Sequence, residues 1–405
     1  MKSNISESIR SISNNEARKI LEALKRGGVP KEYAELLAVG RKEWLSSVKE
    51  DLEFIAEGGS KTRFLVAPYG GGKTHFLTLV SNQAIKQDFV VSYVELQSRE
   101  APFDKFEVIF SKIIRQIITY EDAGVNHILN KWASTFPCYE ANEISSELSR
   151  ISPSLDLRNA LRSYLHLASI NTPEALRRRQ DIIAWMQGDS LPSYVLKELG
   201  IRNKILITNV SDILSSFLSL LTSMGYHGLV LLLDEAEAIT SLTISKKREA
   251  ANENLRKLID NTDDNKGLYI LFATTPKFMN DPSKGAPSYP ALWDRIRTVM
   301  SLPQAMINNR SIIMNLGPLT EHDLYLLGQN IIYIHGISWK WSATKVFSQD
   351  LLKTYVNKYK SSSPDGPIRP FLRTLIELLD IVQQNQDIIT LNKIISELDL
   401  SLLLN

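Results

Sequence analysis

The stretch APYGGGKTHF, residues 67–76, constrains the fold of this chain more than any other feature. It follows the apolar run 64–66, typical of a buried strand, and opens the stretch THFLTLVSNQAI, whose apolar spacing predicts a helix. A glycine-rich turn between a strand and a helix is the setting in which the pattern G-x-x-x-x-G-K-[ST] binds phosphate. The alternative is a flexible turn that precedes a lysine by chance, and the flanking strand and helix weaken that alternative.

The positions of this loop match the chemistry that phosphate binding requires. Alanine stands at the first position, where glycine is usual and a small residue is sufficient. The three glycines allow consecutive backbone N–H groups to point at phosphate oxygens. Lys73 would reach the β- and γ-phosphates, and the hydroxyl of Thr74 would coordinate Mg²⁺. The cofactor-binding candidates in the loop are Ala67, Gly70, Gly71, Gly72, Lys73, Thr74 and His75.

Strand and helix patterns alternate along the first part of the chain. RFLVA leads into the loop, FVVSYVEL (89–96) predicts a second strand, and residues 105–118 have the apolar period of a helix. The stretches HGLVLLLDE (227–235) and GLYILFATT (267–275) predict two further strands around a polar helix at 245–261. This alternation predicts an α/β fold with a parallel sheet covered by helices on both faces.

Other segments show helical patterns only. The strand signal vanishes from about residue 121 to 205, which predicts a helical insertion into the α/β domain, and the pattern is again helical after about residue 305. We therefore predict N-terminal helices (1–60) that pack on an α/β core (61–305), followed by an all-helical lid with C-terminal helices (306–405).

A second candidate site lies at the end of the strand in LVLLLDEAE. Five apolar residues indicate a strand too buried to alternate, and two acids follow it. Carboxylates at the end of a buried strand cost free energy unless they bind something. Asp234 fits a Mg²⁺ ligand beside a phosphate loop, and Glu235 fits the base that activates an attacking water. The alternative is an acid that caps the next helix.

Polar groups that could contact the terminal phosphate occur at three further places. Thr275 ends the strand in GLYILFATTP, and Thr274 is the second choice there. Arginine suits charge stabilisation because its planar guanidinium matches phosphate oxygens and stays ionised. The alternative for each arginine is a surface salt bridge. The arginine candidates are Arg295 and Arg297 in YPALWDRIR and Arg369 and Arg373 in GPIRPFLRTLIELL.

Composition limits the class of protein. The net charge of +2 argues against a polybasic coat for nucleic acid, although a local basic patch is possible. The single cysteine, Cys138, excludes an internal disulfide and fits a reducing compartment. The polar start of the chain lacks an apolar signal region, and no apolar run approaches the roughly 20 residues that span a bilayer. We expect a cytoplasmic protein without a membrane partner.

Taken together, the motifs resemble those of the AAA+ ATPases, particularly the branch of origin-recognition proteins and helicase loaders. APYGGGKT is similar to Walker A, LLLDEAE to Walker B, and FATTP to the sensor 1 segment. The resemblance implies that Thr275 is sensor 1, Arg295 the arginine finger and Arg369 sensor 2. It also implies that VGRKEW lines the adenine pocket. The pocket residues would be Val39, Gly40 and Arg41.

A narrower resemblance covers most of the chain. ARKILEALKRGGVP, IIAWMQGDS, YHGLVLLLDEAEAI and LYILFATTPKF look like the BREX phage-defence ATP-binding proteins of the BrxD and BrxC kind. It implies an ATPase that works on or near DNA with a helicase or methylase partner. We expect the ATPase to require Mg²⁺ and the chain to form a homo-oligomer. Unlike origin-recognition proteins, the chain has only about twenty residues after the lid near residue 385, too few for a winged-helix DNA reader.

Two alternatives to a DNA-linked ATPase stay open. One is a nucleotide-dependent assembly switch with little hydrolysis, and Glu235 argues against it because a pure binder needs no base. The other is an AAA+ ATPase that remodels proteins. The basic clusters SKKR (245–248) and LRRRQ (176–180) favour a nucleic-acid surface, although charged helix faces are more often simply solvated.

Overall fold

The computed structural model describes residues 7–97, 102–135, 141–206, 208–260, 262, 265–297, 308–363 and 366–385. The predicted α/β fold is confirmed, because a six-stranded and mostly parallel sheet is flanked by helices. The strands are β1 (Lys61–Val66), β2 (Val90–Glu95), β3 (Ile117–Ile118), β4 (Leu229–Asp234), β5 (Leu268–Thr274) and β6 (Ile313–Asn315). Their order across the sheet is β3-β2-β4-β5-β1-β6.

Eighteen α-helices occur in the described residues. The first nine are α1 (Glu7–Arg10), α2 (Asn14–Lys25), α3 (Lys42–Ala56), α4 (Lys73–Ile85), α5 (Phe106–Arg115), α6 (Val125–Ser134), α7 (Ala141–Ile151), α8 (Leu155–Ala168) and α9 (Pro173–Met186). The others are α10 (Ser193–Glu198), α11 (Val210–Ser223), α12 (Ser245–Asp260), α13 (Pro276–Asn280), α14 (Pro290–Ile296), α15 (Glu321–Trp339), α16 (Ala343–Val346), α17 (Gln349–Ser362) and α18 (Ile368–Asn385). Short 3-10 segments occupy Lys31–Leu37, Ala236–Ser241 and Ala286–Ser288.

The centre of the sheet is the most buried part of the fold. Every residue of β4 and β5 is buried, as expected for parallel strands with helices on both faces. β4 pairs with β2 on one side and with β5 on the other, and both pairings are parallel. The C-terminal ends of these three strands therefore lie at the same edge of the sheet, where ligands of open α/β sheets usually bind.

Two short strands correct the sequence-based assignment. The helix predicted over 105–118 ends at Arg115, and Ile117–Ile118 form β3, which pairs antiparallel with β2. The all-helical prediction after residue 305 is wrong at Ile313–Asn315, which form β6. Strands of two or three residues carry no periodic signal of their own, and pairing with a longer neighbour decides their conformation.

The chain divides into two compact units. Unit 2 contains the described parts of Ser47–Leu65 and Val80–Met314 and so holds nearly all of the sheet. In the described parts of the predicted insertion after residue 124, α6 to α10 follow one another and no strand occurs. In unit 2 a buried ion pair also joins α3 to β1, because Arg63 Nη2 donates to Oδ1 of Asp51 over 2.7 Å.

Unit 1 contains the described parts of Met1–Ser46, Val66–Leu79 and Asn315–Asn405. Its hydrophobic core is built mainly by α2, α15, α17 and α18, through residues such as Ile20, Ile331, Tyr355 and Leu375. Among the predicted N-terminal helices, α2 packs against α15 and α18. The three-part division at residues 60 and 305 stays a prediction. Among the described helices, none has both the length and the apolar character that crossing a membrane requires.

Candidate functional site

The predicted site residues fall in both compact units, and each group is described by itself. In unit 1 the chain leaves β1 at Val66, and α4 begins at Lys73. Gly70 and Gly72 have φ angles of 70° and 93°, a conformation that residues with a Cβ rarely adopt. A turn of this kind leading into a helix N-terminus is the arrangement that binds phosphate groups in many proteins.

The start of α18 lies directly on this loop. The backbone N–H of Ile368 donates to the carbonyl O of Gly70 over 2.9 Å. A Cβ on Gly70 would lie 2.8 Å from Cβ of Pro367, and one on Gly72 would lie 3.3 Å from Cδ1 of Ile368. A side chain at Gly70 would therefore collide with the segment that opens α18, whereas one at Gly72 would press on the end of the Ile368 side chain.

The two candidate arginines of α18 are both exposed and lie close to the end of α2. The side chain of Arg369 packs against Gly27, at which an added Cβ would be 3.0 Å from Cδ of the arginine. Arg373 donates from Nε to the carbonyl O of Lys25 over 2.8 Å. A cation next to the carbonyls at a helix C-terminus is favourable. Arg369, the predicted sensor 2, directly follows Ile368, whose backbone N–H donates to the carbonyl O of Gly70 in the glycine-rich loop.

Lys73 is buried, and two groups of the loop contact its ammonium. Nζ donates to the carbonyl O of Ala67 over 3.2 Å and lies 5.3 Å from the centroid of the Tyr69 ring. A cation at this distance is attracted to the negative face of an aromatic ring. The sequence pattern does not single out Tyr69, because an aromatic residue at that position is not part of the phosphate-loop pattern. Its ring is 67% exposed.

The residues after the lysine differ in their surroundings. Thr74, the predicted metal ligand of the loop, is exposed in the first turn of α4. The side chain of His75 is largely buried, and Nε2 lies 2.8 Å from the carbonyl O of Ala34. Burial lowers the pKa of His75, the hydrogen bond to Ala34 raises it, and the charge of Arg41 lowers it again. The neutral imidazole therefore donates from Nε2 and ties α4 to the 3-10 segment Lys31–Leu37.

The three predicted adenine-pocket residues follow that 3-10 segment. Val39 packs on the core of unit 1, and Gly40 lies directly against the carboxylate of Asp323. Arg41 is buried and donates from Nη1 to the carbonyl O of Gly317 over 2.9 Å. Burial lowers the pKa of Arg41, and the charge of Asp323 opposes that shift. These contacts hold the backbone of residues 39–41, the segment that is predicted to line the adenine pocket.

In unit 2, Asp234 is the last residue of β4 and is only 2% exposed. Its Oδ2 accepts a hydrogen bond of 2.6 Å from the hydroxyl of Tyr93 on β2, and its Oδ1 accepts one of 2.9 Å from the backbone N–H of Glu235. A buried carboxylate needs such donors to offset the loss of water. Tyr93 is a functional candidate that the sequence pattern misses, because it is 141 residues away in the chain.

Glu235 has an unusual backbone conformation. Its φ of 57° and ψ of 40° place it in the left-handed region, where residues with a Cβ are uncommon. The residue directly precedes the 3-10 segment Ala236–Ser241, yet its side chain makes no capping hydrogen bond to that segment. The alternative of an acid that merely caps the following helix is therefore not supported. Strained residues of this kind concentrate at functional sites.

The two threonines after β5 have different environments. Thr274 is the last residue of β5, is fully buried, and its Oγ1 has no hydrogen-bond partner among the described residues. Thr275 is partly exposed and precedes α13 without a side-chain capping bond. A buried hydroxyl without a partner costs about 1–3 kcal/mol. The sequence favours Thr275 as the sensor, and this stays a prediction; the unpaired hydroxyl of Thr274 is an argument for the second choice.

The arginine pair near α14 forms ion pairs within unit 2. Arg295 binds both carboxylate oxygens of Asp260, with Nη2 3.0 Å from Oδ2, and Arg256 also binds Asp260. Arg297 lies 3.2 Å from the carboxylate of Asp294. In the single chain, both arginines therefore form the salt bridges that the alternative hypothesis predicts.

The two basic clusters differ in how many carboxylates lie near their cationic side chains. In LRRRQ, Arg178 is surrounded by the carboxylates of Glu174, Asp181 and Glu198. In SKKR, Lys246 and its neighbour at 247 are exposed at the start of α12. The exposed cations among the described residues of these clusters are therefore Arg177 in LRRRQ and the two lysines of SKKR.

Each unit holds residues that fit one part of a nucleoside triphosphate with Mg²⁺. In unit 1, a glycine turn at a helix N-terminus with a lysine ammonium suits phosphate oxygens. In unit 2, a fixed carboxylate ends β4. Mg²⁺ in phosphate-processing sites is usually held by one or two carboxylates together with substrate phosphates.

A strand, a phosphate loop and a helix, with carboxylates ending another parallel strand, define a P-loop nucleotide-binding protein of the α/β class. The family model for the BREX system ATP-binding protein BrxC/D matches residues 12–397. The chain therefore belongs to the BREX ATP-binding protein family, and ATP binding in this phage-defence system is its role. This confirms the resemblance drawn from the motifs. A search of curated proteins found no match.

Proposed function

We propose that this BREX ATP-binding protein hydrolyses ATP in a Mg²⁺-dependent reaction. The observation that carries the proposal is Glu235, a carboxylate held in a strained left-handed conformation directly after the buried strand β4. A protein that only binds nucleotide needs no base at this position. Strain that is retained at a chemically suited residue favours a catalytic function.

Each candidate residue has a separate part in this reaction. The ammonium of Lys73 neutralises the transferred phosphoryl group, and the loop glycines bind the phosphates through backbone N–H groups. Thr74 and Asp234 are the proposed metal ligands. When bound with ATP, Mg²⁺ would supply positive charge to the phosphate oxygens. Glu235 orients a water molecule and accepts its proton.

Two variants test these assignments. Lys73→Ala should abolish binding of a fluorescent ATP analogue, whereas Glu235→Gln should bind the analogue and lose hydrolysis. Matched controls are Lys345→Ala, at an exposed lysine of unit 1, and Glu249→Gln, at an exposed glutamate of unit 2. Turnover of the Glu235→Gln variant at the wild-type rate would require another base.

We further propose that Arg295 acts in trans on ATP held by a neighbouring copy. Its place after the last core strand, in LWDRIR, supports this proposal. An arginine finger accelerates turnover about 10³- to 10⁵-fold, so Arg295→Ala should bind nucleotide and lose activity. Mixing it with Lys73→Ala should restore some turnover, because some interfaces would then combine an intact loop with an intact finger. Mixed oligomers that stay inactive would contradict action in trans.

A nucleotide site that is shared by two copies of the chain also links nucleotide binding to oligomerisation. A ligand that binds at the boundary of two copies stabilises the assembled form by mass action. Sedimentation velocity should therefore show a larger species with ATP and Mg²⁺, most clearly for Glu235→Gln. A chain that stays monomeric under every condition would leave only a cis mechanism or a switch.

DNA or a helicase of the same defence system is the proposed partner. The resemblance drawn from the motifs suggests these partners, and the exposed pair of lysines at the start of α12 supports a contact with DNA. The ATPase rate should rise with single- or double-stranded DNA on protein sized by light scattering, and DNA affinity should fall steeply with salt. An ATPase that ignores DNA but responds to unfolded protein would instead support a protein-remodelling function.

A further inference from the structure

Tyr93 is a side chain that no motif of the site includes, yet it contacts the carboxylate that the proposed function assigns to Mg²⁺. It lies on β2, which pairs in parallel with β4 so that Tyr93 is opposite Leu232, two residues before Asp234. From this position its hydroxyl donates to Oδ2 of Asp234 over 2.6 Å. This distance is typical of a strong bond between a hydroxyl and an ionised carboxylate.

Two hydrogen bonds to Asp234 come from different parts of unit 2. The N–H of Glu235 binds Oδ1 from the same chain segment, whereas Tyr93 binds Oδ2 from the neighbouring strand. Together they fix the plane of the carboxylate, because rotation about either side-chain bond would break at least one of them.

We propose that Tyr93 is a positioning residue that orients Asp234 for the Mg²⁺ ion that accompanies ATP, an inference that rests on the proposed ATP-binding function. Hydrogen bonds to a metal-ligating carboxylate set its orientation and its affinity for the metal. The backbone pairing of β2 and β4 does not need this hydroxyl. Removal of the hydroxyl should therefore affect the metal more than the fold.

The experiment is a Mg²⁺ titration of Tyr93→Phe, which keeps the ring and removes the donor. Binding of a fluorescent ATP analogue is measured with EDTA and at rising Mg²⁺ concentrations. The Mg²⁺ concentration at the midpoint should rise by about tenfold, whereas affinity for metal-free nucleotide should stay at the wild-type value. Tyr289→Phe is the matched control, because its hydroxyl donates to a different carboxylate, that of Glu253, over 2.7 Å. The control should have the wild-type midpoint.

A second variant separates positioning from a structural effect. On an Asp234→Asn background, Tyr93→Phe should add no further shift, since the carboxylate that it orients is gone. An unchanged midpoint in Tyr93→Phe, or an equal loss of metal-free binding, would overturn the inference while Mg²⁺-dependent binding by the wild type still supported the proposed function. If the wild type bound no nucleotide at all, the proposed function itself would fail.

Discussion

The left-handed backbone of Glu235 leads to a prediction in which stability and activity change in opposite directions. For an L-residue this conformation costs about 1–2 kcal/mol relative to the right-handed region. Glycine adopts it without that penalty. We therefore expect Glu235→Gly to unfold less readily than a variant that keeps a Cβ at the same position, although it has lost the carboxylate needed for hydrolysis.

The expected gain follows from two opposing terms. Relief of the left-handed strain contributes about 1–2 kcal/mol, whereas the greater freedom of glycine in the unfolded chain removes about 0.4–1 kcal/mol. The net increase in the free energy of unfolding is then between about 0 and about 1.6 kcal/mol, with a central value of about 0.8 kcal/mol. The side chain of Glu235 is partly exposed, so burial contributes little to the difference.

Urea denaturation without nucleotide provides the assay, with free energies from linear extrapolation. Glu235→Gln is the reference, since it keeps the shape and the strained backbone and removes only the charge. Asp88→Gly is the matched control, because Asp88 also has a positive φ, 56°, and lies in an exposed turn of the same unit. It should gain stability and keep its ATPase rate. A Glu235→Gly variant no more stable than Glu235→Gln would refute the strain argument.

Three further predictions concern a buried ion pair, a buried histidine and a loop glycine. Asp51→Ala leaves the buried guanidinium of Arg63 without its carboxylate and should lower the free energy of unfolding by about 3–5 kcal/mol in urea; a loss below about 1 kcal/mol would contradict it. Burial lowers the pKa of His335 below its ordinary 6.5, so the unfolded chain takes up the proton first and stability falls as the pH drops below that value. The urea midpoint should therefore decrease between about pH 7.5 and about pH 5.5, and by less in His335→Gln. Gly70→Ala should weaken ATP binding by at least about tenfold, or about 1.4 kcal/mol, because its Cβ would meet Pro367; unchanged affinity by titration would contradict this.

The sequence predicts the parts of the fold that local patterns determine. Of the four longer strands, β4 and β5 have the longest apolar runs, five residues or more, and are the clearest in the pattern because they are buried on both faces. The apolar runs of β1 and β2 are shorter. β3 and β6 escape detection because they have two and three residues, and only their pairing partners make them strands.

The residues of the candidate site also divide into those that local motifs reveal and those that only long-range contacts reveal. The phosphate loop and the acids after β4 are local motifs, so they are readable from the sequence. The bond from Tyr93 to Asp234 joins residues 141 apart, and nothing in either segment indicates it. The choice between Thr274 and its neighbour depends on which hydroxyl is buried without a partner, which only the folded chain reveals. Long-range contacts therefore define the residues that orient the site.

The ion pair of Arg295 is compatible with the proposed finger on energetic grounds. Arg295 and Asp260 are each about one-third exposed, and pairs at such exposure contribute about 0–1 kcal/mol. Asp260 also keeps Arg256 as a partner if Arg295 leaves, because Nη1 of Arg256 lies 2.5 Å from its Oδ2. A finger that accelerates turnover 10³- to 10⁵-fold stabilises the transition state by about 4–7 kcal/mol. If Arg295 is the finger, exchange of one carboxylate for a developing phosphoryl charge would favour the phosphate by several kcal/mol, and Asp260 would hold the arginine between turnovers.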